Sequence, residues 1–204
     1  MLTDRKIFSP KKSPLRYYSP MDLPSLLIRK HRGCYLKYLS WIHAIEVKTI
    51  VEIGVFRGKN AQVLREQFPD AHLYLIDPWK PDPHYLQSGS AVSDLEETYA
   101  KAFRRVQTLF ADDPKVTLIQ KMSHEAAPLV PDNVDLVFID ANHAYEAIRQ
   151  DILTWKEKVR PGGILSGHNY GRPRLPGVKQ AVDELFGEEA FLGQDEVWFY
   201  LTTT

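Results

Sequence analysis

The chain contains little cysteine, no long apolar run and no net charge. Cys34 is the single cysteine among 204 residues, which excludes an intrachain disulfide and favours a reduced, intracellular setting. No stretch approaches the roughly eighteen apolar residues of a membrane span, and the first six residues lack the apolar segment of a secretory signal. We therefore expect a cytoplasmic protein with no membrane partner.

The charges balance overall, with 26 Lys and Arg against 26 Asp and Glu, but they are unevenly placed. Residues 1–40 contain nine basic residues and two acidic ones. Such a segment can meet nucleic acid, an anionic substrate or an acidic neighbouring subunit. Because neither a long basic run nor a nucleic-acid motif accompanies it, the favoured interpretation is a solvated tail with one basic helix face. Nucleic acid is not an expected partner, and a homo-oligomer stays open.

The apolar pattern divides the chain into an N-terminal arm and one α/β domain. Residues 1–44 begin with Ser-Pro pairs and continue, from residue 23, with apolar residues at helical spacing. In residues 45–204 short apolar runs alternate with amphipathic segments, which predicts right-handed βαβ crossovers and a mainly parallel sheet. The expected strands are 49–53, 72–76, 116–120, 134–139 and 164–166. The expected helices are 60–68, 94–110, 123–129, 145–159 and 177–186.

Two features of the last third complete this prediction. The run Pro161-Gly162-Gly163 predicts a turn into the fifth strand. Residues 189–192 and 197–202 predict a C-terminal antiparallel hairpin.

Polar residues stand where four of the expected strands end. Because ligands of open parallel sheets lie beyond the carboxyl ends of the strands, one pocket at this edge would collect them all. The loop over residues 78–93, rich in Pro, Ser and Gly, is a candidate lid over it. The strand-end residues are Glu52 with Gly54, Asp77, Asp140, and His168 with Asn169.

The glycines after the first strand allow more than one ligand. A phosphate-binding P-loop needs four residues between its glycines and a following Lys-Ser or Lys-Thr. Here three residues separate Gly54 from Gly58, and Asn60 follows the lysine. A dinucleotide fingerprint needs a second glycine where Phe56 stands, so that pyrophosphate can approach the backbone. An NAD-type oxidoreductase remains as the disfavoured alternative, for which Asp77 would suit a ribose.

The pattern Glu52-x-Gly54-x-x-x-Gly58 followed by Ile76-Asp77 resembles the first two motifs of class I S-adenosylmethionine-dependent methyltransferases, with Phe56 in place of the family's usual third glycine. The residues suit that ligand on their own. Glycines allow close backbone approach, helix N–H groups near Asn60 can bind a carboxylate, and an Asp can accept two ribose hydroxyls. The resemblance implies S-adenosylmethionine as cofactor, contacted by Glu52, Gly54, Gly58, Asn60 and Asp77.

The segments 134–146, 160–170 and 176–182 are similar to a small O-methyltransferase-like branch that includes catechol-type enzymes and antibiotic-sugar relatives. This resemblance implies a Rossmann-like sandwich with a seven-stranded, mainly parallel sheet. It also implies O-methylation of a small-molecule hydroxyl, with Met122 and Ser123 bracketing the adenine and Asp140 next to the cofactor. A non-catalytic relative that keeps the pocket is the second alternative.

In metal-dependent members of the branch, an acid after the fourth strand and an acid-Asn pair after the fifth hold Mg²⁺. Asp140 and Asn169 match two of these ligands, while His168 stands where an acid is expected. Histidine suits Mn²⁺ or Zn²⁺ better than Mg²⁺, so a divalent metal on these three residues is an open prediction. His143, placed where catechol-type enzymes carry a Lys base, and His168 are the candidate bases, with Asp140 as the third catalytic candidate.

Overall fold

The structure is a computed structural model that describes residues 31–81 and 92–203. Within those residues, helices and strands alternate along the chain. The helices are α1 (Arg32–Ile42), α2 (Lys59–Gln67), α3 (Val92–Leu109), α4 (Ser123–Ala126), α5 (Tyr145–Lys156) and α6 (Pro176–Phe186). The strands are β1 (Thr49–Ile53), β2 (His72–Ile76), β3 (Val116–Ile119), β4 (Val134–Ile139), β5 (Val159–Gly167), β6 (Phe191–Leu192) and β7 (Trp198–Leu201).

The strands form a seven-stranded sheet in the order β3-β2-β1-β4-β5-β7-β6. β1 to β5 run parallel to one another, while β7 pairs antiparallel with both β5 and β6. Ile53, the last residue of β1, pairs with Ile76 on one side and Ile139 on the other. This arrangement confirms the predicted sheet and its C-terminal hairpin, and it places the reversal of strand order between β1 and β4.

Helices cover both faces of the sheet, which explains why the central strands read as nearly continuous apolar runs. All six residues of β4 are buried. On one face Leu39 of α1 and Leu64 of α2 pack into the core, and on the other Trp155 of α5 and Val178 of α6 do so. The end of the predicted arm is therefore part of the packed structure, while the boundary at residues 44 and 45 stays a prediction. In the described parts of the chain, no helix combines the length and apolar character needed to cross a bilayer.

Several element boundaries differ from the sequence prediction. β5 begins at Val159 instead of residue 164, and α5 accordingly ends at Lys156. The predicted turn at Pro161–Gly163 is wrong as a break before the strand: these residues form an irregularity inside β5, where Gly162 N donates to the carbonyl oxygen of Thr202 (2.8 Å). The helix expected from residue 94 begins at Val92. Residues 82–91 of the candidate lid and 23–30 of the arm lie outside the described residues.

Candidate functional site

The reversal of strand order sets the residues after β1 and β4 side by side. Gly54 N donates to the carbonyl oxygen of Ile76 (2.9 Å), and Asp140 N donates to that of Ile53 (2.8 Å). Gly54 has a φ of 88°, and a Cβ there would lie 2.2 Å from the carbonyl oxygen of Asp140. Only glycine therefore fits at this position.

A cavity of about 360 Å³ opens in front of Gly54. This volume falls in the range of roughly 300–1,000 Å³ that is typical of sites for small molecules and cofactors. Six of the residues predicted for the site line the cavity: Gly54, Asp77, Met122, Ser123, Asp140 and His143.

Phe56, which stands in place of the expected glycine, has a left-handed backbone conformation. Its φ is 46°, in the left-handed region that glycine enters without strain. Its N–H donates to Asp77 Oδ2 (2.8 Å), which holds the loop in place. The ring lines the cavity and packs edge-on against Tyr99, with centroids 5.5 Å apart. Phe56, which argues against a pyrophosphate ligand, therefore forms an apolar part of the cavity wall.

Asp77 joins two loops at one end of the cavity. Besides the bond from Phe56, its Oδ1 accepts from Trp79 N (2.6 Å), and the indole Nε1 of Trp79 donates to the carbonyl oxygen of Phe56 (2.8 Å). Burial raises the pKa of Asp77, although the backbone N–H groups act in the opposite direction. The backbone N–H of Val55 is a third donor to this carboxylate. A carboxylate has about four acceptor positions, so at least one is left for a ligand hydroxyl.

Asp140 lies at the other end of the cavity, among nitrogen-bearing side chains. Its Oδ2 is 3.2 Å from Arg32 Nη2, and its Oδ1 is 3.3 Å from His143 Nε2 and 3.5 Å from His168 Nδ1. Burial favours a raised pKa, but the hydrogen bonds with the two histidines and the charge of Arg32 together outweigh it, so that the pKa of Asp140 is lowered. Asp140 is therefore a stabilised anion at physiological pH.

The side-chain amide of Asn169 bridges the two histidines. With its oxygen toward His143 Nε2 (2.9 Å), its nitrogen finds only Glu196, at 3.4 Å. With the amide reversed, the oxygen accepts from Arg172 Nη1 (2.8 Å), and the nitrogen lies 2.9 Å from both His143 Nε2 and His168 Nδ1. The reversed orientation satisfies both ends of the amide, and it also places the amide nitrogen 3.1 Å from Asp140 Oδ1.

Met122 and Ser123, the predicted adenine neighbours, line the cavity on its α4 side. Met122 is about half exposed. The hydroxyl of Ser123 is already engaged: it accepts from Trp155 Nε1 (2.8 Å) and hydrogen-bonds to Asp151. Asp151 also lines the cavity, and burial raises its pKa to about 6.

Three predicted cofactor contacts lie outside the lining of the cavity. Glu52 is fully buried and accepts from Asn60 Nδ2 (3.1 Å). Burial raises the pKa of Glu52 to about 8. Gly58, with a φ of 73°, is the N-cap residue that precedes α2. The structure thus ties β1 to α2 through Glu52 and Asn60, and cofactor contacts by these three residues stay predictions.

The predicted metal site is not supported, although its three residues do lie together. In the described residues no group of three or more His, Cys, Asp or Glu side chains is arranged to hold a metal ion. Asp140 is the one carboxylate of the predicted set, and the guanidinium of Arg32 already neutralises it. Mg²⁺ prefers hard oxygen ligands. The three residues offer the Asp140 carboxylate, which is paired with Arg32, and the Asn169 amide oxygen, which accepts from Arg172 in the reversed orientation. Sequence reasoning did not foresee Arg32 at this position.

Together, the reversal in strand order, the glycine at it and the two carboxylates flanking the cavity define a class I S-adenosylmethionine-binding methyltransferase fold. The model of the methyltransferase domain family matches residues 51–170, which is more than half of the chain. The protein belongs to this family, whose cofactor is S-adenosylmethionine.

Solved structures with the same fold include methyltransferases of different specificity. The O-methyltransferase NovP has a TM-score of 0.63 at 22% identity, with 85% of this chain and 80% of NovP covered. CalS11, a TDP-rhamnose 3′-O-methyltransferase of calicheamicin biosynthesis, has a TM-score of 0.54 at 17% identity, covering 92% and 89%. The N-methyltransferase NodS from Bradyrhizobium japonicum WM9 has a TM-score of 0.56 at 17% identity, covering 90% and 99%. At these identities the likeness extends to the fold alone.

A curated relative provides a further match in sequence. An uncharacterized protein of Sinorhizobium fredii, y4gI, is 25% identical over 133 residues. The match covers 63% of this chain but only 14% of that protein, so the chain spans a small part of its relative's length.

Two residues of the site were missed by sequence reasoning, for different reasons. Asp151 follows Ala147 and Gln150 on the cavity side of α5, so the i, i+3, i+4 spacing was a readable signal. Arg32 carried no such signal, because it reaches Asp140 from a helix that precedes the entire sheet.

Proposed function

We propose that this protein transfers the methyl group of S-adenosylmethionine to the oxygen of a small-molecule acceptor. The observation that carries the proposal is the cavity at the strand reversal, with a buried carboxylate held by backbone at one end and the Asp140–His143 pair at the other. The NovP and CalS11 likenesses support oxygen as the acceptor atom, and NodS marks nitrogen as the competing one.

The lining residues fit the cofactor. The absent side chain of Gly54 leaves room beside the Asp140 backbone, where a Cβ would fill the space. Asp77 would hold the ribose hydroxyls, and Met122 with Asp151 and Ser123 would border the adenine. When bound, S-adenosylmethionine supplies a methyl group on a positively charged sulfur, which an oxygen nucleophile attacks.

The chain's own residues then orient the acceptor and remove its proton. His143 lines the cavity, and the proton of the acceptor hydroxyl passes to its imidazole ring. Asp140 Oδ1, 3.3 Å away, stabilises the imidazolium that forms. Because displacement at the methyl carbon needs in-line alignment, positioning in the cavity can contribute roughly 7–11 kcal/mol to lowering the barrier.

Calorimetry with S-adenosylhomocysteine and with NAD, followed by turnover, tests the proposal. We expect S-adenosylhomocysteine to bind and NAD not to bind. A panel of hydroxyl and amine acceptors, with S-adenosylhomocysteine release as the readout, should then give turnover on hydroxyls. Turnover confined to amines would contradict the oxygen assignment. Binding of S-adenosylhomocysteine without turnover on any acceptor would favour a non-catalytic relative, and preferential binding of NAD would overturn the proposal.

A further inference from the structure

The guanidinium of Arg32 lies between two carboxylates where the family resemblance predicts a metal ion. Arg32 Nη2 is 3.2 Å from Asp140 Oδ2, and Nη1 is 3.9 Å from Asp195 Oδ2. His168 lies between the same two acids, with Nδ1 3.5 Å from Asp140 Oδ1 and Nε2 3.9 Å from Asp195 Oδ2. Arg32 therefore lies where the resemblance predicts a divalent metal ion, and His168 lies where it predicts an acidic ligand of that ion.

This arrangement is incompatible with a metal ion on Asp140 in the same state. A coordinated dication lies about 2.0–2.2 Å from its carboxylate oxygen, while a guanidinium nitrogen of Arg32 already lies 3.2 Å from Oδ2. The two positive charges would then be neighbours on one carboxylate and would repel each other. His168 stands where the resemblance expects an acid, so no carboxylate at that position balances them, and Asp195 is 3.9 Å from both Arg32 Nη1 and His168 Nε2.

Arg32 has hydrogen-bonding capacity left for a ligand. A guanidinium carries five N–H donors and stays charged at any physiological pH. Arg32 makes a single close contact with Asp140, through Nη2, so donors on its two Nη atoms remain for a ligand, whereas its Nε is buried and without a partner among the described residues. About a quarter of the side chain is exposed, and although Arg32 does not itself line the cavity, it contacts Asp140, which does.

We propose that Arg32 takes the place of the divalent metal ion, and that methyl transfer by this protein is independent of divalent cations. The inference rests on the proposed function. As the acceptor hydroxyl gives its proton to His143, negative charge develops on the oxygen, and the guanidinium of Arg32 neutralises it. The oxygen forms its bond to the methyl carbon as the carbon–sulfur bond breaks, and the bonding electron pair goes to the sulfur. The positive charge that balances the developing negative charge on the oxygen therefore comes from the protein itself and not from a metal ion.

The first test measures metal binding by the full chain. We expect purified protein to contain substoichiometric Zn, Mn, Fe and Mg by elemental analysis, and the electron paramagnetic resonance signal of added Mn²⁺ to stay that of the free ion. Turnover should be unchanged after treatment with a chelator. Stoichiometric metal, or loss of turnover that added Mg²⁺ or Mn²⁺ restores, would overturn the proposal. Because Mn²⁺ binding needs no acceptor and S-adenosylhomocysteine binding needs no metal, failure of the inference and failure of the proposed function are separable.

The second test changes Arg32. Arg32→Gln should lower kcat about 100-fold or more, in the range of losing one oxyanion donor, while S-adenosylhomocysteine affinity stays within about threefold. Arg32→Lys should retain more activity because it keeps the charge. Arg149→Gln, which removes an exposed arginine paired with Glu184 on α6, is the matched control and should stay within about twofold. Equal turnover of Arg32→Gln and wild type would contradict the role of the guanidinium.

A gain-of-binding variant completes the design. Arg32→Gln combined with His168→Asp removes the guanidinium and restores the acid that the resemblance expects. We expect this double variant to bind Mn²⁺ through Asp140 and Asn169 where the wild type does not. If the folded double variant, checked by circular dichroism, still leaves the Mn²⁺ signal free, Arg32 is not occupying a metal position and the proposal fails. If it does not fold, the wild-type Mn²⁺ titration decides.

Discussion

Asp77 and Asp140 are both buried carboxylates at strand ends, yet their neighbours differ in kind. Asp77 is held by backbone N–H groups of Phe56 and Trp79. Asp140 is held by the side chains of Arg32, His143 and His168. Burial favours a raised pKa at both positions, and only at Asp140 do the partners reverse the direction.

This difference separates a binding end of the cavity from a reacting end. Backbone donors carry no net charge and are fixed by the loops they belong to, so Asp77 is suited to hold neutral hydroxyls in one orientation. Histidine and arginine side chains can accept a proton or neutralise a developing charge, so Asp140 is suited to the chemical step. The distinction predicts that mutations at the two ends affect different constants.

Asp140→Asn should have the largest effect. It removes the anion that stabilises a protonated His143 and deprives Arg32 of its nearest counterion. We expect kcat to fall about 10³-fold, within the 10²–10⁴ range of general acid–base catalysis, with S-adenosylhomocysteine affinity changed by less than about tenfold. Steady-state kinetics and calorimetry on the same preparation measure the two quantities. A loss of affinity as large as the loss of kcat would place Asp140 at the binding end and abolish the distinction.

Asp77→Ala should give a smaller effect on the opposite constant. Loss of hydrogen bonds to a charged group, at roughly 1.5–3 kcal/mol, corresponds to a fall in S-adenosylhomocysteine affinity of about 10- to 100-fold. Once the enzyme is saturated, kcat should change little. Asp77→Asn keeps one acceptor oxygen and is the matched control, with an intermediate affinity. An affinity of Asp77→Ala within about threefold of wild type would show that Asp77 only joins the loops of Phe56 and Trp79.

The same contrast explains how far the sequence could predict the site. Asp77 and Gly54 were predictable because their positions follow from strand ends and local backbone geometry, which short-range patterns encode. The partners of Asp140 were only partly predictable. His143 is three residues away and was found, whereas Arg32 is brought there by the packing of α1 against the sheet.

The misjudged boundaries have the same origin in tertiary contacts. Pro161-Gly162-Gly163 has the composition of a turn, yet Gly162 and Gly163 hydrogen-bond to Thr202, next to β7, and stay within β5. The sheet order and the helix positions, by contrast, followed from alternating apolar periods, which need no knowledge of distant partners. Contacts between residues far apart in the sequence therefore determine the strand boundary that the local composition did not predict.

Asp151 extends the comparison to a third carboxylate of the cavity, with an effect on stability rather than on turnover or affinity. Its hydrogen-bond partner is the neutral hydroxyl of Ser123, and burial raises its pKa to about 6 from an ordinary 3.8. The folded state then binds a proton more tightly than the unfolded state. The resulting stability is complete below about pH 4 and is lost as the pH rises through about 6.

Asp151→Asn mimics the protonated form and removes this loss. In the ligand-free protein we expect the variant to match wild type near pH 4 and to be more stable by up to about 3 kcal/mol at pH 7–8. Thermal unfolding across this pH range measures the difference. A stability difference between variant and wild type that is equal at both ends of the pH range would mean that Asp151 stays ionised in the folded protein, as Asp140 does. A neutral hydroxyl would then stabilise a buried carboxylate as well as charged partners do.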